Sequence, residues 1–279
     1  MAVGAARHFT RLPALDIPEQ LYLGHFGMPG MTAYFGLLAA AVVLLAMTMR
    51  LWPVTMAVLS ALWLWSALFW TTPMSAQGWV GVDTLFGGSN GRYGDYQQHL
   101  ATIERVREKA RAGASVIVLP ESALGVWTPT IERLWTRALQ DLDVTVYGGA
   151  VIVDETGYDN VMMEVSEQGR SVRYRQRMPV PVSMWQPWLG LLDAPAGARA
   201  DFFANPVVVV SDVRVATLIC YEQLLIWPIL QSALSNPDIL VAPSNGWWTS
   251  GTDIVAIQLV ATMAWAKLFD LPLVIAVNR

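Results

Sequence analysis

The sequence predicts an α/β domain preceded by two transmembrane helices, and three observations carry that expectation. The 279-residue chain is 54% hydrophobic and only 14% charged, against roughly a quarter charged in an ordinary soluble domain. The deficit is local. Residues 1–82 hold Arg7, Arg11, Asp16, Glu19 and Arg50 as their only charged side chains, whereas residues 83–279 carry 15 basic and 20 acidic ones. In that second part short apolar runs alternate with helical periodicity, and several neighbouring strands read as hairpins. Such a mixture builds a sheet-rich sandwich with helices outside. The composition excludes a disordered chain. A net charge of −4 gives no electrostatic case for a nucleic-acid partner, and one cysteine excludes a disulfide framework or a Cys-rich zinc site.

Residues 1–30 are an N-terminal segment, and 31–73 read as a membrane hairpin. No Asp, Glu, Lys or Arg lies between Glu19 and Arg50, and 31–49 is strongly apolar. Residues 51–82 are again uncharged, with an apolar centre at 54–70. A span needs about 20 such residues, each rising about 1.5 Å. Trp52 and Trp70 flank the second run as interfacial aromatics do, and Trp63 and Trp65 lie further in. A signal peptide or a buried core helix is the other reading; the late start, the length and the second run favour the hairpin. Arg50 with Trp52-Pro53 makes a short turn between the spans. The positive-inside rule puts that turn in the cytoplasm and the globular part outside, with Arg7 and Arg11 pulling the other way.

Residues 81–90 are a Gly-rich junction overlapping a short strand at 79–83. Within it, Gly87-Gly-Ser-Asn-Gly91 lacks the context of a phosphate-binding loop. Tyr96, Leu100, Ile103 and Val106 set a helix over 95–112, stopped by Gly113. Residues 114–119 are a β-branched strand ended by Pro120, 130–142 a helix, and 144–153 a buried strand containing Gly148-Gly149. A hairpin spans 160–166 and 171–177, and a strand pair spans 206–210 and 213–219. Helices follow at 226–234 and 255–269, with strands at 238–242 and 273–277. Residues 179–197 form a long loop rich in Pro, Gly and Trp, of the kind that is often functional.

The one cysteine, Cys220, ends the apolar run Val215-Ala-Thr-Leu-Ile-Cys-Tyr-Glu222 just before a helix. A helix start favours thiolate, and the next backbone N–H can hold an oxyanion. A lone free cysteine is also a common small core residue. Glu121, in Val118-Leu-Pro-Glu-Ser-Ala-Leu124, ends another apolar strand. Partly buried there, it would gain a raised pKa and could take the thiol proton; otherwise it is a cap or a solvated residue. His8, His25 and His99 are scattered, and Glu121, Glu222 and Asp253 lack metal-ligand spacing, so neither a metal nor a cofactor is expected.

Together, Leu-Pro-Glu-Ser-Ala-Leu and Leu-Ile-Cys-Tyr-Glu resemble the nitrilase, or carbon-nitrogen hydrolase, superfamily. The preceding spans are similar to its apolipoprotein N-acyltransferase-like branch, and Asn245-Gly-Trp-Trp248 resembles that branch's Asn-x-x-Trp segment. The two-span leader and the Arg-Met-Pro-Val-Pro stretch look closest to the nitrilase-like TraB proteins of plasmid conjugal transfer. The resemblance covers about 79–279 and implies an α-β-β-α sandwich, C-terminally short. It implies a Glu–Lys–Cys site, with Glu121 as general base and Cys220 as the nucleophile that forms an acyl thioester. The N–H of Tyr221 and the lysine would stabilise the oxyanion, and Glu222 would support. Trp185, Asn245 and Trp247 are candidate substrate-binding residues; Trp185, Trp188, Trp247 and Trp248 read either as core aromatics or as the lining of an acyl or lipid pocket.

The chain departs from this pattern. The family's Tyr-x-Lys-x-x-Leu-Val-Pro reads Tyr174-Arg-Gln-Arg-Met-Pro-Val-Pro181, so Gln176 occupies the lysine position. The two lysines, Lys109 and Lys267, fall on expected helices. Strand alternation points Arg175 and Arg177 away from the face of Gln176, unless a slip or bulge intervenes. Ser183-Met184 stand where the acyltransferase branch has Gly-Glu. The chain stops at Arg279 where the family continues, which would leave the last strand as an exposed apolar edge and suggests a truncated gene product. The expectation is a bacterial inner-membrane protein with its domain toward the periplasm and the lipid bilayer as a partner. It would hydrolyse or transfer an acyl group at a C–N or ester bond of a small amide, ester or lipid substrate, in conjugal transfer. The alternative is a catalytically impaired scaffold or binding protein; in a third reading Cys220 is inert core.

Overall fold

A computed structural model of the chain describes residues 52–68, 72–87, 91–192, 197–249 and 252–279. The expected first span, the N-terminal segment and Arg50 lie outside them. The chain divides into two compact units, Met1–Pro73 with Met263–Asp270, and Met74–Thr262 with Leu271–Arg279.

In the first unit α1 (Trp52–Leu68) is an uncharged helix of 17 residues. Trp52-Pro53, expected as a turn between spans, instead opens this helix. Proline is tolerated in a first turn because its missing N–H would have no partner there. Among the described residues no helix is long and apolar enough to cross a membrane.

The second unit is built on two sheets. The first joins β1 (Trp79–Gly81), β2 (Val116–Val118), β3 (Thr145–Asp154), β4 (Gly157–Ser166) and β5 (Gly169–Arg175) in that order. Its first three strands are parallel and its last three antiparallel. The second joins β6 (Val208–Val210), β7 (Val213–Thr217), β8 (Ile239–Asn245) and β9 (Leu273–Asn278), with β7, β8 and β9 parallel. Side-chain alternation sorts residues between two cores. Val116, Val118, Tyr147, Met162 and Tyr174 face Val215, Val241, Val274 and Ala276 between the sheets. Ile117, Val146, Val161 and Met163 face the opposite way, against Ile103 and Val106 of α2 (Gly91–Arg111) and Trp135 and Leu139 of α3 (Pro129–Leu139). The Tyr147 hydroxyl bridges the sheets to Thr217 Oγ1 at 2.9 Å. With α4 (Ile226–Ala233) packed on β7, the layers are α-β-β-α, as expected. The last helix is α5 (Ile254–Leu268).

The differences from expectation are local. β3 and β4 form a hairpin closed by Glu155-Thr156, whose turn is held by Asp154 Oδ1 accepting from the Thr156 N–H (2.9 Å) and hydroxyl (2.8 Å). β7 ends at Thr217, so Cys220 begins a separate 3-10 turn rather than ending a strand. The expected exposed edge at β9 is occupied. Leu273 N–H donates to Met74 O, Thr84 N–H to Val277 O and Arg279 N–H to Thr84 O, each at 2.9 Å. Thr84 Oγ1 and the Phe86 N–H both donate to Asn278 Oδ1. The chain leading into and out of β1 therefore seals the edge, and Gly81 is what lets it approach: a Cβ there would lie 1.7 Å from Ile275 O. Gly81→Ala is accordingly expected to destabilise the domain by about 2 kcal/mol or more in denaturant unfolding, while Gly87→Ala, whose Cβ meets nothing within 4 Å, leaves it unchanged.

Candidate active site

The site gathers at one end of the sandwich, where three parallel strands finish. Ligands of open α/β sheets bind outside such carboxyl ends. After β2 the chain turns through Pro120 into Glu121, with Ser122 at φ 59°. This turn lies directly on β3. A Cβ on Gly149 would come within 2.6 Å of Glu121 Cα and 2.5 Å of Ser122 N, and Leu124 N–H donates to Gly149 O at 2.8 Å. The Gly148-Gly149 pair thus makes room for the Glu121 turn.

After β7 the chain runs through Leu218 and Ile219 into Cys220, held at φ 47° at the start of the turn Cys220–Leu224. A non-glycine residue in the left-handed region is strained and persists only when its surroundings fix it. Here Glu222, completely buried, fixes it. Its Oε2 accepts from the Ile219 N–H and the Tyr174 hydroxyl, both at 2.8 Å. Its Oε1 accepts from the N–H groups of Arg177 (2.7 Å) and Met178 (3.0 Å). Burial holds the Glu222 pKa above the usual range, opposed chiefly by the nearby Arg177 charge.

Gln176 lies one residue past β5, its N–H on Asn160 O at 2.8 Å. Its side chain accepts from Asn160 Nδ2 at 2.9 Å and donates to Ile219 O at 3.3 Å. The same Asn160 nitrogen donates to Glu121 Oε1 at 2.6 Å. Glu121 and Cys220 are close enough for the carboxylate charge to raise the thiol pKa, and the backbone of Asn245, at the end of β8, acts on both groups. Gln258 Nε2 completes the cluster, donating to Cys220 Sγ at 3.4 Å. Glu121, Asn160, Gln176, Cys220 and Gln258 are each at most 6% exposed. Burial pushes the Glu121 carboxyl up to about 7, against the hydrogen bonds from Asn160 and Cys220. Burial, reinforced by the Glu121 charge, pushes the Cys220 thiol up to about 12.

The structure therefore brings Glu121, Gln176, Cys220 and the Asn245 backbone together, with Tyr221 next in the Cys220 turn. Trp185 stacks edge-on to Phe202 at 5.3 Å and Trp247 is exposed. Neither makes a hydrogen bond or ring contact with Glu121, Gln176 or Cys220 among the described residues. Arg175 points outward onto Asp159, as alternation requires. Arg177 does not: the strand has ended, and its guanidinium is fully buried against the Tyr174 hydroxyl (3.0 Å), Gln231 Oε1 and Ser232 Oγ (both 2.9 Å). A cavity of about 190 Å³ is bordered by Asn160, Gln176, Asp159, Asp201, Arg175 and Arg199. A larger one, about 380 Å³, lies by Trp79, Ser115 and Thr145, at the other ends of β1–β3. Among the described residues no group of His, Cys, Asp or Glu side chains could hold a metal.

Sequence reading missed Asn160 and Gln258. The signal for each was a lone amide in an apolar setting: Asn160 before Val161-Met-Met163, and Gln258 within Ile254–Leu268.

The carbon-nitrogen hydrolase family model matches residues 136–267. The chain is 52% identical over 245 residues to a probable conjugal transfer protein TraB of Sinorhizobium fredii, and 53% identical over 245 residues to the conjugal transfer protein TraB of Agrobacterium fabrum. These matches support a nitrilase-like family of TraB proteins for the chain. The alignments take in 88% of this chain but 63% and 58% of those two relatives, so it spans about three fifths of their length. Among solved structures, a carbon-nitrogen hydrolase from Helicobacter pylori is similar in fold (TM-score 0.50, 16% identity, 71% of this chain and 72% of that one). So is a mutant Nesterenkonia amidase carrying acrylamide added at its active-site cysteine (TM-score 0.50, 11% identity, 71% and 76%).

The raised pKa of Glu121 has a measurable consequence. The native state holds this proton more tightly than the unfolded chain does. Its contribution to stability is complete below the ordinary carboxyl pKa of about 4.5 and is lost as pH rises through about 7. Glu121→Gln removes that loss, so its thermal midpoint, measured against pH, is expected to fall less than the wild type's between pH 4.5 and 8.

Proposed function

We propose that this nitrilase-superfamily chain forms an acyl-enzyme on Cys220 at a C–N or ester bond, with Glu121 as its base. One observation carries the reading: the fold brings the Glu121 carboxyl and the Cys220 thiol into one buried cluster, close enough for the carboxylate charge to raise the thiol pKa. Above pH 7 the carboxylate accepts the thiol proton as sulfur attacks the substrate carbonyl carbon. With the thiol pKa near 12 the resting sulfur keeps its proton, so proton transfer accompanies attack. The tetrahedral oxyanion would meet the Tyr221 N–H and the second N–H of Gln176 Nε2. Glu121 then returns the proton to the leaving amine or alcohol, leaving a thioester. Water or an acyl acceptor attacks it and gives its own proton to Glu121, which passes that proton to the departing sulfur and so restores the thiol and the free carboxylate. Glu222 positions the nucleophile without touching substrate.

A second reading, an impaired scaffold or binding protein, is favoured by one residue. Gln176 brings hydrogen bonds but no charge, and among the described residues no cationic side chain hydrogen-bonds Glu121 or Cys220 in its place. The uncharged stretches at 31–49 and 51–82 and the apolar helix α1 support membrane attachment, with the inner membrane as site and the domain periplasmic. The names of the two relatives support a role in conjugal transfer. Trp185, Trp247 and Asn245 remain proposed substrate-contacting residues.

An electrophilic acyl probe should label Cys220 of the native full chain, read by intact mass. Glu121→Gln should slow labelling by about 10²-fold or more, and Gln176→Lys should speed it. A native Cys220 that does not label rejects the acyl-enzyme reading in favour of the scaffold.

A further inference from the structure

The helix α5 carries one side-chain amide and one hydroxyl, Gln258 and Thr262. Four residues apart, they fall on one face of the helix, and that face meets the turn that holds Cys220. Gln258, 3% exposed, donates from Nε2 to Cys220 Sγ at 3.4 Å. The buried Thr262 hydroxyl donates to Gln258 O at 2.7 Å and reaches Gln223 Oε1 at 3.1 Å. Gln223 lies in the Cys220 turn, and its Nε2 donates to Leu218 O (3.1 Å) and Pro243 O (3.0 Å). A second contact, one turn along the helix, thus docks α5 on the Cys220 turn and fixes where the Gln258 amide meets the sulfur.

The sulfur needs such a partner. Burial and the Glu121 charge both work against a sulfur anion, and they are opposed first by the Gln258 side chain and then by the Asn245 backbone. Gln176, in the position where the resembled pattern has lysine, accepts from Asn160 and donates to Ile219 O. Arg177 is bound to Tyr174, Gln231 and Ser232, and Arg175 to Asp159. Among the described residues no other side-chain nitrogen donates to Cys220 Sγ.

We infer that Gln258 is a catalytic residue, whose side-chain N–H stabilises the sulfur anion of Cys220 as it attacks the substrate and again as it leaves the thioester. The inference rests on the reading of Cys220 as nucleophile and Glu121 as base. A neutral thiol sulfur is a weak acceptor, whereas a bond to an ionised acceptor is roughly twice as strong as a neutral one. The same N–H therefore does more once the thiol proton has moved to Glu121 than before. A contact that strengthens along the reaction lowers the barrier, where one of constant strength would only bind the ground state. In the thioester the sulfur is uncharged and the contact weakens. When the sulfur is expelled, the contact strengthens again until Glu121 passes it a proton. No bond is made or broken at Gln258 itself.

The test is the rate at which iodoacetamide alkylates Cys220 of the full chain in detergent, followed by mass across pH, at a temperature below the thermal midpoint of each protein. Cys220 is the chain's one cysteine, so the adduct reports on it alone. The wild-type rate should rise through about pH 7 and level off as Glu121 ionises. Gln258→Met keeps the length of the side chain and removes the donor. Its rise should stay near pH 7 while its rate above that pH falls about tenfold, the loss that one unit of thiol pKa corresponds to. Gln258→Lys restores an N–H donor and should be at least as fast as the wild type. Packing alone predicts the reverse order, since Met is the easier side chain to bury. Equal rates for the wild type and Gln258→Met, loss of the rise together with the rate, or a Gln258→Lys slower than Gln258→Met overturns the role. A wild-type rate that climbs past pH 7 without levelling rejects Glu121 as base instead, and the ratio of wild type to Gln258→Met still judges Gln258. A native Cys220 that never labels rejects both.

Discussion

One carboxylate holds the arrangement together. Glu222 accepts four hydrogen bonds, two from backbone N–H groups after β5, one from Tyr174 within β5, and one from Ile219 ahead of Cys220. The exit of the first sheet's last strand is thereby tied to the turn after β7 in the second sheet. Gln176 precedes Arg177, one of the clamped residues, and Cys220 follows Ile219, another, so their mutual placement is set by this joint. A buried carboxylate is costly unless its oxygens are satisfied and a countercharge is near. Both conditions hold: all four bonds are at most 3.0 Å, and the buried Arg177 guanidinium shares the Tyr174 hydroxyl with it. The left-handed φ of Cys220 can persist because the residues on either side of it are held.

On this frame the position that the resembled Glu–Lys–Cys pattern gives to lysine is held by Gln176, an uncharged amide. In the Glu–Lys–Cys pattern a cation would lower the pKa of both partners. Here the corresponding position is an amide that passes a chain of neutral hydrogen bonds from Ile219 O through Gln176 and Asn160 to Glu121. Burial then dominates, and both the carboxyl and the thiol are driven toward their protonated forms.

Much of this was legible from local pattern. The short apolar runs gave β2 and β8, the turn at Glu167–Arg170 gave the β4–β5 hairpin, and the segments around Glu121 and Cys220 pointed to one sheet end. What escaped depends on pairing between distant segments. Asn160 becomes a site residue only through β4–β5 register, which lays it beside Gln176. The β3–β4 hairpin was hidden because Glu155-Thr156 carries no Gly or Asn and relies on the Asp154 side chain. Arg177 was assigned by alternation to the wrong side, since alternation stops with the strand at Arg175. The β9 edge is sealed by residues near 74–86, almost two hundred positions earlier, where no local pattern could reveal them.

Glu222 is the joint between the two sheet ends, and amide hydrogen exchange tests that role most directly. In the native chain the N–H groups of Arg177, Met178 and Ile219 should exchange among the slowest outside the central strands. In Glu222→Gln, which keeps the shape but weakens the acceptors, all three should quicken together while Val146 and Val241 stay protected. Unchanged protection at those three amides would contradict it.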